Sequence, residues 1–418
     1  MGEYVILGGK VLRGDLKVQG GKNAVLPILA ATVLCEGKSV ISNYPKISDT
    51  DTAVRILEEI GCKIEIGKDA LVIDASGAHN YEVSEGLVRS MRSSIVFVGS
   101  LLGRFGEARV SYPGGCELGL RPIDLHLKAL RMMGASIEED HGFLMIKAPR
   151  IVGADINLDF PSVGATENII LAAVRARGTT TISNAAKEPE IIDLTRFLNA
   201  MGANISGAGT STIVIHGVSK LRPAEHSVMP DRIAAGTYLV AAAMTRGDVY
   251  LRNVSSNDLR PVLAKLREVG CSIDETSNAV RLRRDCDLQA IRLRTMPHPG
   301  FPTDMQPQFT AMLSMADGIS VIEETLFESR NRHIPELQRM GADIILAQDG
   351  MTSIIRGIEG LKGAPVTARD LRGGAALVLA GLAADGGETI VSPTDHIMRG
   401  YESLHGDLSM LGADITLV

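Results

Sequence analysis

The chain has no tryptophan and only 15 tyrosines and phenylalanines among its 418 residues. So thin an aromatic supply argues against a surface that stacks nucleic-acid bases. A net charge of −6 and a pI near 5.9 give no general attraction to nucleic acid or to an anionic membrane. The apolar runs 24–34, 168–174, 236–244 and 375–382 hold roughly ten residues each, about half of what a bilayer-spanning helix needs. Residues 1–20 contain no basic segment followed by a long apolar stretch, so no secretory signal is expected. Cysteine is scarce, odd in number and scattered: Cys35, Cys62, Cys116, Cys271 and Cys286. Reduced thiols and a cytoplasmic chain are the expectation. There is no G-x-x-x-x-G-K-[ST] and no dinucleotide fingerprint, which disfavours ATP and NAD.

What the chain does have is a repeat. A large apolar residue, Gly, Ala or Cys, any residue and Ile recur six times, with the glycine at 61, 134, 202, 270, 341 and 412. The intervals are 73, 68, 68, 71 and 71 residues. A fixed period marks one supersecondary unit used repeatedly. In each copy an apolar run ends at a glycine, and a short strand such as Ser39–Ser42 follows. An amphipathic helix such as Thr52–Ile60 then stops at the repeat glycine, which suits a left-handed cap. The apolar runs read as helices buried on every side. A unit of about 70 residues cannot bury much of its own surface, so copies must share a core. The expected fold is α/β, with two lobes of three repeats, three buried helices at each centre and sheets outside. Cys62 and Cys271 occupy the Ala position of the repeat and Cys35 closes an apolar helix, so all three read as core.

One copy breaks the pattern. From strand end to repeat glycine, the first, third and fifth copies take 18 residues, whereas Tyr112 to Gly134 takes 22. The extra residues fall in the loop 113–124, with three glycines and two prolines, which carries Cys116 five residues before Arg121. A metal is the weakest use for this thiol: there is no C-x-x-C, and no His lies within five residues. Nucleophile and general acid both stay open.

Two other constellations stand out. Lys22 and Asn23 follow Gly20-Gly21 directly before the first buried helix. Arg92, Arg121, Arg330, Arg372 and Arg399 lie near helix starts or in strand-to-helix connections. Such a set suits a small polyanionic substrate. In Pro297–Gln306, three prolines within six residues deliver Asp304 to a helix start, as an N-cap or a general base; position alone favours the cap. His126, two residues after Asp124, could orient a neighbour or cap its helix.

These segments resemble the family of UDP-N-acetylglucosamine 1-carboxyvinyltransferases, the enolpyruvyl transferases of bacterial peptidoglycan synthesis. The matching stretches are Gly21–Ala24 with Leu26–Leu29, Met91–Ser94, Pro113–Cys116, Arg121–His126 and Ser162–Thr166. They continue through Pro230–Arg232, Phe301–Gln306, Phe327–Arg330, Asp370–Arg372 and Arg399–Glu402, collinear over essentially the whole chain. The resemblance implies an inside-out α/β barrel in two lobes, 22–229 and 1–21 with 230–418, and an active site in the cleft between them.

It also implies a reaction: the enolpyruvyl group of phosphoenolpyruvate moves to the 3-hydroxyl of UDP-N-acetylglucosamine, with release of phosphate. In this reading Cys116 donates a proton and can add to the substrate, and Asp304 accepts the sugar hydroxyl proton. Lys22, Arg121 and Arg399 hold phosphoenolpyruvate. Asn23 and Arg330 belong to the substrate-binding set. Arg92, Arg121, Pro122, Ile123, Asp124, Leu125, Ser162, Val163, Gly164, Asp304 and Leu326 face the UDP-sugar, and Asp370 and Arg372 serve lobe closure or loop positioning. No cofactor, metal or protein partner is implied. Some relatives carry an aromatic residue at the place of Val96 and a Lys at the place of Phe160, which bears on uridine and phosphate contacts. The rivals are 5-enolpyruvylshikimate-3-phosphate synthase, whose family lacks the Gly-Gly-Cys loop, and an idle UDP-sugar-binding homologue.

Overall fold

The computed structural model describes residues 2–112 and 123–418. The expected Cys116, Arg121 and Pro122 lie outside the described residues. The chain forms two compact units, one of residues 20–112 with 123–229 and one of residues 2–19 with 230–418.

At the centre of the first unit stand helices α1 (Lys22–Thr32), α2 (Phe97–Phe105) and α3 (Val163–Ala173). In α1 every residue but Asn23 is buried, as an Ala- and Leu-rich helix without a polar face requires. Helix α2 packs against both α1 and α3. Three four-stranded sheets surround them, each with the same plan. In one, Lys38–Ser42 pairs antiparallel with Ala70–Asp74, which pairs with Lys63–Ile66; Glu225–Ser227 adds a parallel edge. Ile41 faces Leu71 across that pair, and both are buried inward. An edge strand, a central helix, a strand, an outer helix and a final strand pair make each copy a βαβαββ unit.

The second unit repeats the plan around α4 (Arg232–Met244), α5 (Gln306–Leu313) and α6 (Leu371–Leu382), which touch one another pairwise. Its sheets are completed by the start of the chain. Tyr4–Leu7 lies antiparallel between Glu388–Ser392 and Asp414–Leu417, and Arg13–Lys17 runs parallel to Asp248–Arg252. Among the described residues no helix is long and apolar enough to cross a membrane.

All six repeat glycines have left-handed φ: 102° at Gly61, 91° at Gly134, 101° at Gly202, 102° at Gly270, and 96° at both Gly341 and Gly412. At Gly202 no atom lies within 4 Å of where a Cβ would sit. Gly202→Ala should therefore cost backbone strain alone, about 1–2 kcal/mol. At Gly61 the added methyl would meet the Gly77 carbonyl at 2.8 Å, so Gly61→Ala should cost more. Urea midpoints should fall in the order parent, Gly202→Ala, Gly61→Ala. A reversed order of the two variants would contradict this account.

Candidate active site

Lys22 opens α1 and is 7% exposed. Its ammonium meets the Asp49 carboxylate at 2.6 Å, and Asp49 is itself buried in the first turn of the helix Ser48–Ile60. A cation at a helix N-terminus opposes the helix dipole, and a buried one needs a partner, which Asp49 supplies. The preceding glycines let the chain enter tightly. A Cβ on Gly20 would lie 1.7 Å from the Asn43 carbonyl oxygen, and Gly21 donates its N–H to Met229 O at 2.8 Å. Asn23, next along α1, is half-buried.

A second cluster in the same unit gathers at the start of α3. Ser162 caps this helix, its Oγ accepting from the Ala165 amide at 3.3 Å, and Val163 and Gly164 form the half-buried first turn. Beside it, Ile123 is buried, Leu125 half-buried and Asp124 exposed at the head of the helix Asp124–Met132. Half-buried Arg92 heads the 3-10 turn Arg92–Val96 and acts electrostatically on His126. His126 caps no helix; its ring is held from behind by Asn168 of α3 at 2.9 Å.

In the second unit the expected residues converge on Asp304. Arg330 Nη2 donates to Asp304 Oδ1 at 2.6 Å, and its Nε and Nη2 also donate to the Thr303 carbonyl at 3.0 and 2.8 Å. Arg372 donates from Nε and Nη2 to Asp304 Oδ2 at 3.3 and 3.2 Å. Both guanidinium groups are almost fully buried, at 1% and 2% exposure, while the Asp304 side chain is 26% exposed. Burial works against the charge on Arg372, yet Asp304 and its other neighbours hold it above the ordinary arginine value. Asp304 lies within the short turn Thr303–Met305 and caps neither that turn nor α5, so the capping role favoured by its position is not the one it plays. Caps in this unit are Asp231, which starts α4, and Asp370, whose Oδ1 accepts from the Arg372 and Gly373 amides at 3.0 and 2.9 Å and so starts α6. Leu326 is half-buried in a loop shaped by Glu324, whose Oε1 accepts the Leu326 and Phe327 amides. Arg399, also half-buried, ends the turn Ile397–Arg399.

Several supporting residues escape a reading of the sequence. Asp49 follows Lys22 at no helical or strand spacing. Tyr401 takes Arg372 Nη1 at 3.3 Å and reaches Thr237 Oγ1 at 2.8 Å, to which Gln308 also donates at 3.1 Å. Gln19 staples the Arg399 loop, donating to Gly400 O and accepting from the Glu402 amide. Tyr401 and Glu402 at least belong to a recognised stretch; Gln19 carries no local signal.

Two buried imidazoles make the fold sensitive to acid. His126 and His333 are held near pKa 4, chiefly by burial; Arg92 adds to the effect at His126, and Asp370 opposes it at His333. The unfolded chain takes up these protons near pH 6.5. Stability is therefore complete above about pH 6.5 and falls as pH drops toward 4, by on the order of 3 kcal/mol per histidine. Urea midpoints at pH 7.5 and pH 5 should differ less for His333→Gln than for the parent; an equal difference would count against a neutral buried His333.

The family model for EPSP synthase (3-phosphoshikimate 1-carboxyvinyltransferase) matches residues 6–408. UDP-N-acetylglucosamine 1-carboxyvinyltransferase 2 of Caldanaerobacter subterraneus subsp. tengcongensis is 50% identical over 100% of both chains. UDP-N-acetylglucosamine 1-carboxyvinyltransferase of Geotalea uraniireducens is 48% identical, again over 100% of both. Among solved structures, the enolpyruvyl transferase NikO from Streptomyces tendae superposes with a TM-score of 0.91 at 26% identity, covering 100% of this chain and 99% of that one. The chain thus belongs to the enolpyruvyl transferase family, in the group of the UDP-N-acetylglucosamine 1-carboxyvinyltransferases.

Proposed function

We propose that the protein moves the enolpyruvyl group of phosphoenolpyruvate to the 3-hydroxyl of UDP-N-acetylglucosamine and releases phosphate, the first committed step of peptidoglycan synthesis, in the cytoplasm. The observation that carries this reading is Asp304, gripped through both oxygens by Arg330 and Arg372 while its side chain stays partly open. A carboxylate oxygen has more than one lone pair, so each can still accept a substrate hydroxyl. Two buried guanidinium groups fix the direction in which that acceptor points.

The reaction is an addition followed by an elimination. Cys116 protonates C3 of phosphoenolpyruvate, and C2 becomes cation-like. The sugar 3-oxygen attacks C2, and its proton passes to Asp304. Loss of a proton from C3 then expels phosphate from C2 and restores the double bond. Cys116 can also add to C2 as a thiolate. Lys22, Arg121 and Arg399 hold the phosphate and carboxylate of phosphoenolpyruvate. Asn23 and Arg330 complete the substrate-binding set, and Asp370 and Arg372 set the loops. Arg92, Arg121 to Leu125, Ser162 to Gly164, Asp304 and Leu326 take the UDP-sugar. Excluding water matters here, because water would otherwise trap the activated intermediate.

Phosphate release tests the reading. With phosphoenolpyruvate present, UDP-N-acetylglucosamine should trigger it and shikimate 3-phosphate should not. Release with shikimate 3-phosphate alone would assign the acceptor of the sister enzymes instead, and release with neither would leave an idle homologue. An epoxide phosphonate such as fosfomycin adds a chemical check. Burial pushes Cys35 up to about 11 and Cys62 and Cys271 up to about 12, so these thiols stay protonated and unreactive. Mass spectrometry should place the adduct on Cys116; label on Cys62 or Cys271 would contradict the assignment.

A further inference from the structure

The two arginines that grip Asp304 are not anchored alike. Arg330 leans on the backbone, through two bonds to the Thr303 carbonyl. Arg372 has no such tie. Among the described residues, the one guanidinium hydrogen bond that does not go to Asp304 goes to the Tyr401 hydroxyl, from Nη1 at 3.3 Å. The guanidinium carbon also lies 5.6 Å from the centre of the Tyr401 ring. Tyr401 is buried, and its oxygen stands 2.8 Å from Thr237 Oγ1. Counting donors gives these contacts a direction. A guanidinium only donates, so the Tyr401 oxygen accepts from Arg372. Thr237 commits its hydrogen to Ile233 O at 2.8 Å and accepts from Gln308 Nε2 at 3.1 Å. The Tyr401 hydrogen must then point at Thr237 Oγ1, which holds the phenol with a lone pair toward Arg372.

Thr237, Gln308 and Arg372 stand on α4, α5 and α6, so each central helix of this unit lends one side chain to the same hydrogen-bond chain. All three are buried. Such a chain has few alternative arrangements, because a hydrogen that turns away loses its acceptor in a place without water. What it fixes is an arginine fork. Nε and Nη2 of Arg372 both donate to Asp304 Oδ2, so the tilt of that fork sets how the Asp304 carboxyl plane is turned. We propose that Tyr401, locked by Thr237, is a positioning residue for proton transfer: it aims Arg372, and Arg372 aims the Asp304 carboxylate at the sugar hydroxyl. Neither Tyr401 nor Thr237 touches substrate in this role. The inference rests on the reading of Asp304 as proton acceptor and adds the residues that orient it.

The test uses the full-length protein and steady-state phosphate release. Tyr401→Phe keeps the ring beside Arg372 and deletes only the oxygen. It should lower kcat about ten- to thirtyfold, while the KM values for UDP-N-acetylglucosamine and phosphoenolpyruvate stay within about threefold of the parent. Thr237→Val, which deletes the acceptor of the phenol hydrogen, should lower kcat about three- to tenfold, and Thr237→Ser should return it to within about twofold. A double-mutant cycle separates positioning from packing. In an Asp304→Asn background, Tyr401→Phe should change kcat by less than about twofold, because the group it aims is gone. An equal loss in both backgrounds would make Tyr401 a packing residue and overturn the role, as would parental kcat in Tyr401→Phe. A raised KM for phosphoenolpyruvate with kcat preserved would overturn it too, by showing that Tyr401 serves the nearby Arg399 instead. Should Tyr401→Phe not fold, the Thr237 pair decides alone: equal kcat in the Val and Ser variants sinks the proposal. With an active parent these failures touch only Tyr401 and Thr237. A parent that releases no phosphate with UDP-N-acetylglucosamine removes the functional reading and this role together.

Discussion

Cys116→Ser is expected to abolish phosphate release from phosphoenolpyruvate and UDP-N-acetylglucosamine while leaving affinity for the UDP-sugar within several-fold. The asymmetry follows from acidity. A thiol with a pKa near 8.5 is mostly protonated at neutral pH, yet acid enough to give its proton to carbon; a serine hydroxyl is far weaker. In the proposed reading the UDP-sugar, by contrast, draws its contacts from Arg92, Ser162 to Gly164 and other residues that the substitution leaves alone. Cys116→Asp should keep part of the activity, because a carboxylic acid can also donate. The measurement is single-turnover phosphate release beside equilibrium binding of UDP-N-acetylglucosamine. Parental release by the serine variant would remove Cys116 from the proton-donating role. Loss of release together with loss of binding would mean that the loop holds the sugar rather than protonating carbon.

The second large effect is expected at Asp304. Asp304→Asn should lower turnover by about 10²–10⁴-fold through loss of the proton acceptor. It should also destabilise its own unit, by about 3–5 kcal/mol, because Arg330 and Arg372 are left buried without their shared anion. Asp304→Glu separates the two consequences. It retains the negative charge, so most of the stability should return, but its extra methylene displaces the carboxylate and turnover should stay low by about 10²-fold. Urea titration and kcat on both variants decide the matter. Parental turnover in the Asn variant would exclude Asp304 as the base, and an unchanged midpoint would mean that the two arginines find other partners.

Much of the scaffold was legible because its rules are local. A glycine after an amphipathic helix asks for a left-handed cap, and all six repeat glycines adopt one. Runs of Ala, Leu, Ile and Val announced α1, α3, α4 and α6. Helices α2 and α5 were harder to see, since Gly99, Gly103 and Arg104 interrupt the first and Gln306, Pro307 and Gln308 crowd the start of the second. Their burial is imposed by neighbouring helices rather than announced by their own residues. The same distinction runs through the site. Lys22, Asp304, Arg330 and Arg372 were found from charge, punctuation and resemblance. Asp49, Gln19 and Asn168 act through contacts across long stretches of chain, and nothing in a local window marks such partners.

The pairing of Tyr4–Leu7 with Glu388–Ser392 and Asp414–Leu417 has a consequence for biosynthesis. On the ribosome, residues 20–229 have all their strands in hand once Glu225–Ser227 emerges, well before translation ends. The other half is different: its first strand, Tyr4–Leu7, leaves the exit tunnel with no mates and must wait for nearly the entire polypeptide to be made, whereas Arg13–Lys17 waits only for Asp248–Arg252. Nascent chains stalled short of Glu388 should therefore hold one protease-resistant half and an unpaired Tyr4–Leu7, although the sheet that flanks Asp304 is complete once Thr352–Arg356 has emerged.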